Sequence, residues 1–498
     1  MPEIHPEPHG GLQRHFGLLQ ATALNVTMVV GAGIFATIPL MRRELPGPYL
    51  MLGWGLGAAL MLLDGLVWAE LGAALPGSGG SYLYLLESYG RTKLGRAMAF
   101  LFIWQFLISG PLELGSGLIA MSTFAGSVTT RVKEFNDQHS ISVSYDLNDV
   151  VPEFLRESDP VNLGLAFGPT RIFALAMGAL IIFLLYRRIN VLGKLTVTFW
   201  LGVLGVIAWV LVDGAIHGDA SRAFAGSTAE LPDNFPRKLS IIVALAMYSY
   251  LGYYNVCYVG DEVRDPGRTI PRAIILSAVL VAALFIGLHV AMLSVVPWQE
   301  IPTAQKDLDD YSLPAEMMTR LHGDRWAPTL VTLLLVWSCF GSAFAGMLGY
   351  ARIPYGAAKQ GHFYEALARV HPTLRIPHVS LLLIGGLTLF WSFFDLGSVI
   401  NVMIVTRIVE QFVAQIVGVM LLRKNRPDLP RPYRIWLYPL PCLLALTGWL
   451  ALYLTSPPIY IVLGLLTLAL GIMAFLLWSR LTGRWPFSRE PAPASRVS

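Results

Sequence analysis

Runs of roughly 20 apolar residues recur from Phe16 almost to the C-terminus of this 498-residue chain, and no other feature narrows the fold so far. At about 1.5 Å of rise per residue, one such run crosses the ~30 Å hydrocarbon core of a bilayer as an α-helix. Backbone N–H and C=O groups find no water in lipid, so only helices and closed barrels span it. Barrel strands alternate polar and apolar residues over about ten positions, and these runs do not alternate. The chain therefore reads as an all-α integral membrane protein. Its 55% apolar and aromatic residues against 14% charged, with a mean hydropathy of +0.58, fit that class and no ordinary soluble globule.

Windows of about 19 residues place twelve spans, at 17–39, 48–74, 95–126, 168–186, 192–216, 238–260, 272–296, 327–351, 378–395, 397–422, 436–455 and 458–480. An even number puts both termini on one side, so the loops fall into two sets. The set that contains the termini holds 23 of the 36 Lys and Arg residues, the other set holds 12, and Arg407 lies inside a span. Lys and Arg accumulate on the cytoplasmic side, so both termini are expected there. Residues 1–16 and 481–498 become cytoplasmic tails, and 127–165 an external loop of mixed charge, partly helical at most. The first sixteen residues lack the basic start, apolar core and cleavage site of a secretory signal, so no removal is expected. The expected location is a cell membrane, plasma or inner, with the lipid bilayer as surroundings and a monomer or weak homo-oligomer as the assembly.

Several classes drop out on composition. A net charge of +4 is spread over many loops instead of forming a stripe, which argues against nucleic acid as a partner. Cys257, Cys339 and Cys442 all sit in apolar runs without ligand spacing and read as small buried hydrophobes. No His-Glu-x-x-His occurs, no span pairs His or carboxylates at metal-ligand spacing, and the cytoplasmic loops are too short for a catalytic domain. An enzyme is not expected, nor a metal or cofactor. A continuous pore would need a line of polar residues across several spans, and only scattered ones occur, which sets a channel or a non-transporting receptor behind a carrier.

Two spans carry their own interruptions. Val29-Val30-Gly31-Ala32-Gly33-Ile34 sets two glycines around an alanine in the middle of the first, and Tyr248 to Asn255 surrounds Gly252 with aromatic and polar residues in the sixth. If spans 1–5 and 6–10 are inverted copies of one unit, these breaks occupy corresponding positions, a pointer to a binding site at the bilayer midplane. An unwound turn frees backbone groups that cost several kcal/mol each in hydrocarbon, so it persists where it lines a cavity or meets a ligand. A zwitterion suits such a place. The half-helix beginning near Ile34 presents free amides and the positive end of its dipole to a carboxylate, and carbonyls before Gly31 and Gly252 face an ammonium. The Asn25-to-Thr27 triplet lies inside the first span and is no glycosylation signal.

Five segments, in order, carry a resemblance, the first of them the interruption in the first span. They are Gly31-Ala32-Gly33-Ile34-Phe35; Ala69-Glu70-Leu71-Gly72 through Pro76 to Tyr82; Gly260-Asp261-Glu262-Val263-Arg264 through Ala273; Ser342 through Gly361 with Pro372 and Pro377; and Arg426-Pro427-Asp428 through Tyr433. Together they resemble the amino acid-polyamine-organocation permease superfamily over about 450 residues. The resemblance implies a five-plus-five inverted repeat like that of the sodium-coupled leucine transporter. Residues 17–217 would form one half and 238–422 the other, with two extra spans over 436–480. It implies alternating access to an amino acid held by Val29, Gly31, Ala32, Gly33 and Ile34 at its carboxylate end. Tyr248 would be the outer aromatic gate, and Leu251, Gly252 and Tyr253 would shape the amine and side-chain region. Ala32 stands where many relatives carry serine, and Leu251 replaces a usual glycine of the sixth span.

Charges inside spans are costly and point to function or to a partner. Glu113, two residues after Pro111 in the third span, resembles an acidic residue of plant polyamine permeases and could attract a cationic substrate or carry a coupling proton; polyamine transport is the alternative reading. Arg407 and Glu410, three apart, are expected to pair with each other. Asp64 lacks a sequence-local partner, and Glu70 is expected to serve structure at the inner gate. Ser338 and Ser342 are the candidates for a coupling cation. Proton coupling, sodium coupling and obligatory exchange all stay open.

Overall fold

The computed structural model describes residues 14–31, 33–149, 151–153, 156, 162–187, 189–224, 234–303, 311–324, 326–483 and 485–487. Helices dominate: α1 (Leu18–Val29), α2 (Gly33–Glu44), α3 (Gly47–Ala74), α4 (Ser81–Ser88), α5 (Leu94–Gly126), α6 (Thr130–His139), α7 (Pro169–Leu185), α8 (Ile189–His217), α9 (Ala220–Ala223), α10 (Phe235–Tyr250) and α11 (Pro266–Val295). They continue with α12 (Leu313–His322), α13 (Ala327–Tyr350), α14 (Arg352–Lys359), α15 (His378–Trp391), α16 (Leu396–Arg407), α17 (Ala414–Asn425), α18 (Leu440–Thr455) and α19 (Pro458–Leu481).

Among the described residues, eight helical stretches are long and apolar enough to cross a membrane, counting α1 with α2, α13 with α14 and α16 with α17 as one each. Helices α7, α15 and α18 are apolar but shorter. The sixth expected span is in neither group: its helix stops at Tyr250 and gives way to short 3-10 turns, too short to cross, and its first turns carry Arg237, Lys238 and Ser240, which keep it less apolar than α7, α15 and α18.

Burial divides the helices into a centre and a rim. Most residues of α1, α2 and the second half of α10 are enclosed by α3, α8, α11 and α13. On α18 and α19, by contrast, Leu443, Leu454, Leu465, Met473 and Leu477 project outward. Such a belt would drive aggregation in water, and in a bilayer it is the surface that meets lipid tails. The three cysteines are free and buried, as small hydrophobes would be.

The loop after α5 holds more structure than its polar sequence suggests. Thr129 caps α6 through its side chain, accepting from the Val132 amide. Strands β1 (Ile141–Asp146) and β2 (Asn162–Phe167) then pair antiparallel, Ile141 opposite Phe167. The hairpin is fastened to the turn before α16: the Gly164 amide donates to Asp395 Oδ2 at 2.8 Å, and the Ala166 amide to the Phe393 carbonyl at 2.8 Å. The helix α6 fits the partly helical external loop expected over 127–165, and the strand pair with its contacts to residues 393–395 is beyond what that reading included.

Candidate functional site

Both interrupted segments are unwound where the glycines lie, and both are buried. Helix α1 stops at Val29, the Gly31 amide turns back to the Val29 carbonyl at 2.9 Å, and α2 starts at Gly33. Ala32, expected to be part of the site, lies outside the described residues. The opening amides of α2 have no preceding helical turn, so their N–H groups and the dipole's positive end point into the break. Gly33 permits the crossing of the two segments: a β-carbon there would stand 2.8 Å from the Ser249 α-carbon. The Thr37 and Ser249 hydroxyls then join α2 to α10 at 3.0 Å.

In the second break the chain leaves helical geometry at Leu251 and passes through Gly252 at φ +110°, a region that L side chains rarely adopt. Asn25 of α1 supplies what the lost turn would have satisfied. Its side-chain amide donates to the Tyr253 carbonyl at 2.6 Å, and its oxygen accepts the Val256 amide at 2.8 Å. Asn255 reaches the other way, to the Ala345 carbonyl of α13 at 2.8 Å. Asn25 was legible only as a polar residue within an apolar run; no local pattern marks it as the splint of a segment more than 200 positions away.

Carbonyls at the end of α1 are met from α13. Ser338 donates to the Val30 carbonyl at 2.8 Å and Ser342 to that of Met28 at 2.5 Å. Four oxygens, two hydroxyl and two carbonyl, therefore gather beside the first break. Val29, Ile34, Tyr248, Leu251 and Tyr253 are all buried around the two breaks. Tyr248 holds position through its hydroxyl, 2.9 Å from that of Ser116 on α5, and Ser116 in turn donates to the Glu113 carbonyl.

The intramembrane charges pair differently from their spacing. Arg407 does not pair with Glu410; it forms an ion pair with Glu113, and the Tyr350 hydroxyl donates to the same carboxylate. Residues Ile408–Val413 form a π-helical turn, whose wider i→i+5 bonding rotates Glu410 away from Arg407. Glu410 instead accepts from the Gln105 amide at 3.4 Å. Arg407 also donates to Ser109 Oγ at 3.2 Å and to the Tyr254 hydroxyl at 3.4 Å. Asp64 accepts a hydrogen bond from the Tyr253 hydroxyl, which ties the unwound segment to α3. Glu70 binds Arg423 and accepts the Ile435 amide at 2.7 Å, so it joins α3 to α17 and the following loop.

A buried ion pair lies at the end of this region nearest the N-terminus. Arg352 Nε donates to Glu262 at 2.8 Å, and the Glu262 carbonyl accepts the amides of His15 and Phe16 at 2.8 and 2.9 Å. The Arg264 amide returns to the Phe16 carbonyl at 2.9 Å, which clips the start of α1 to the segment after the second break. Among the described residues, no group of three His, Cys, Asp or Glu side chains could hold a metal ion.

Comparison with known proteins gives this geometry a context. A family model described as amino acid permease matches residues 16–477. The chain is similar to the human cationic amino acid transporter 4, at 26% identity over 84% of this chain and 61% of that protein, so it spans under two thirds of that relative's length. It is similar to the human cystine/glutamate transporter, at 26% identity over 95% of this chain and 87% of the other. The serine/threonine exchanger SteT of Bacillus subtilis (strain 168) matches at 26% identity over 89% and 91% of the two chains.

Proposed function

The chain belongs to the amino acid permease family, a family of transporters and not of enzymes, and from that premise we propose that it carries an amino acid across the membrane by alternating access. The observation that carries this reading is the facing of two unwound, buried helix breaks, one offering the amides that open α2, the other the chain from Leu251 to Tyr253. The carboxylate of the substrate meets Val29, Gly31, Ala32, Gly33 and Ile34, where the α2 dipole favours negative charge. Its amine and side chain lie against Leu251, Gly252 and Tyr253, beneath Tyr248. Asn25, Ser338 and Ser342 satisfy the freed backbone, so the breaks need no substrate to persist.

The layout we propose is twelve spans, with α10 and the 3-10 turns after it counted as the sixth. Two inverted halves, 17–217 and 238–422, are followed by two further spans over 436–480. The excess of Lys and Arg on one set of loops supports cytoplasmic termini in a plasma or inner membrane. The protein works as a monomer or weak homo-oligomer. The polyamine alternative is not favoured: Glu113 is matched by Arg407, which leaves no free intramembrane anion at that place for a polycation, and the similar proteins carry amino acids in their names. Ser338 and Ser342, with the Val30 and Met28 carbonyls they meet, are the oxygens that a coupling sodium ion would take, and sodium coupling, proton coupling and exchange are told apart by whether transport needs a sodium or a pH gradient.

The test is counterflow. Proteoliposomes loaded with an unlabelled amino acid should accumulate the labelled form transiently and saturably, in sodium-free buffer and at equal pH on both sides. Absence of counterflow across neutral, cationic and acidic amino acids, or a flux that never saturates, would sink the proposal.

A further inference from the structure

Away from the helix breaks, a cavity of about 750 Å³ opens between the start of α1, the first turns of α8 and the segment after the second break. His15, Gln20, Lys194 and Arg264 line its polar side, Phe16 and Leu19 its apolar side, and no lining residue is acidic. Lys194 and Arg264 are both exposed and come from different elements. Two like charges facing one cavity repel each other unless an anion sits between them, and a guanidinium beside an ammonium is a common way of holding phosphate. The volume is in the range of small-molecule sites.

Position selects the kind of anion. Lys194 lies at the very beginning of a membrane-crossing stretch, Leu192–His217, which is headgroup depth. Leu18 and Leu19, at the start of the first crossing stretch, are 39% and 54% exposed, so apolar surface continues from the cavity toward the bilayer. A soluble phosphate has no use for that surface; a phospholipid does, with its headgroup on the two cations and its glycerol and acyl carbons on the leucines.

We propose that this cavity binds the anionic headgroup of an acidic phospholipid, bridging Lys194 and Arg264. That the lipid comes from the cytoplasmic leaflet rests on the orientation proposed above; the binding itself does not. Arg264 is the residue whose amide clips onto Phe16, and Glu262, two residues earlier, is held by Arg352. A headgroup on Arg264 and Lys194 therefore ties α8 to the clip that holds the start of α1, and it stabilises the arrangement in which that end is shut.

The experiment uses the full chain in maltoside micelles, titrated separately with phosphatidylglycerol, phosphatidylcholine and inorganic phosphate, with the thermal unfolding midpoint as readout. Phosphatidylglycerol should raise the midpoint at lower concentration than phosphatidylcholine. Each basic residue near a membrane surface contributes enough that Lys194→Gln should weaken the phosphatidylglycerol response about fivefold and the double variant with Arg264→Gln about thirtyfold. Both side chains are exposed, so neither change threatens folding. Lys194→Arg with Arg264→Lys keeps both charges and should keep the response. An undiminished response in the double Gln variant overturns the site. A rise with inorganic phosphate equal to that with phosphatidylglycerol overturns the lipid assignment in favour of a soluble anion. The readout is binding and not uptake, so a protein that responds to the lipid yet moves no amino acid refutes the transport reading alone.

Discussion

Replacing Glu113 by Gln removes one half of a buried ion pair and leaves the other half in place. The Arg407 side chain is 1% exposed and that of Glu113 11%, so water does little to screen what remains. After the substitution the guanidinium keeps Ser109, the hydroxyls of Tyr254 and Tyr350, and the rings of Phe106 and Tyr350 at 5.7 and 5.4 Å. None of these carries a negative charge. Breaking one partner out of a buried pair costs ~3–5 kcal/mol, most of it the uncompensated charge. Adding Arg407→Gln removes that charge, so the double variant should be more stable than Glu113→Gln alone, with a coupling of about 2 kcal/mol or more. Reversible unfolding in mixed micelles of maltoside and dodecyl sulfate, followed by tryptophan fluorescence, measures all three. If Glu113→Gln falls within about 0.5 kcal/mol of the parent while uptake of cationic substrates alone disappears, the carboxylate serves substrate and the pairing argument fails.

Other consequences follow from the helix breaks and the clip. Asn25→Ala orphans the Tyr253 carbonyl and the Val256 amide in a buried setting, at ~1–3 kcal/mol each; unfolding in the same micelles should show a loss of about 2–6 kcal/mol, and a change too small to measure would mean that other groups splint the segment. Gly252→Ala forces a side chain into φ +110° and against Met28, whose Cγ would be 2.8 Å from the new carbon, so counterflow should fall at least tenfold with the protein still folded; undiminished counterflow would count against the second break as part of the path. Arg352→Gln removes the partner of Glu262 and should loosen the clip. A cysteine placed at Ser78, 5% exposed beside this region, should then react faster with a polar maleimide than in the parent background; an equal rate would show that the ion pair does not hold this end shut.

Much of this arrangement was readable in advance, and the reasons for the rest are physical. Single glycines in membrane helices usually mark close packing, and the two breaks are legible because they fall at corresponding places in spans five apart. Glu70 was expected to be structural near one end of its span, and its bonds to Arg423 and Ile435 make it so. Long-range partners were invisible. Asn25 and Tyr253 are 228 positions apart, and a polar residue in a helix does not say which neighbour it faces. Arg407 and Glu410 misled because i, i+3 spacing implies a shared face only while the helix stays α, and Ile408–Val413 does not. The hairpin of β1 and β2 escaped for a related reason: its second strand is fixed by Phe393 and Asp395, beyond the reach of any local pattern.

Transport by this route requires one amino acid to sit between two main-chain breaks. A map of the protein in lipid nanodiscs at saturating substrate would test it most directly. New density is expected with its carboxylate on the amides that open α2 and its amine toward residues 251–253. Density elsewhere, or helices running without interruption through 30–32 and 251–254, would contradict it.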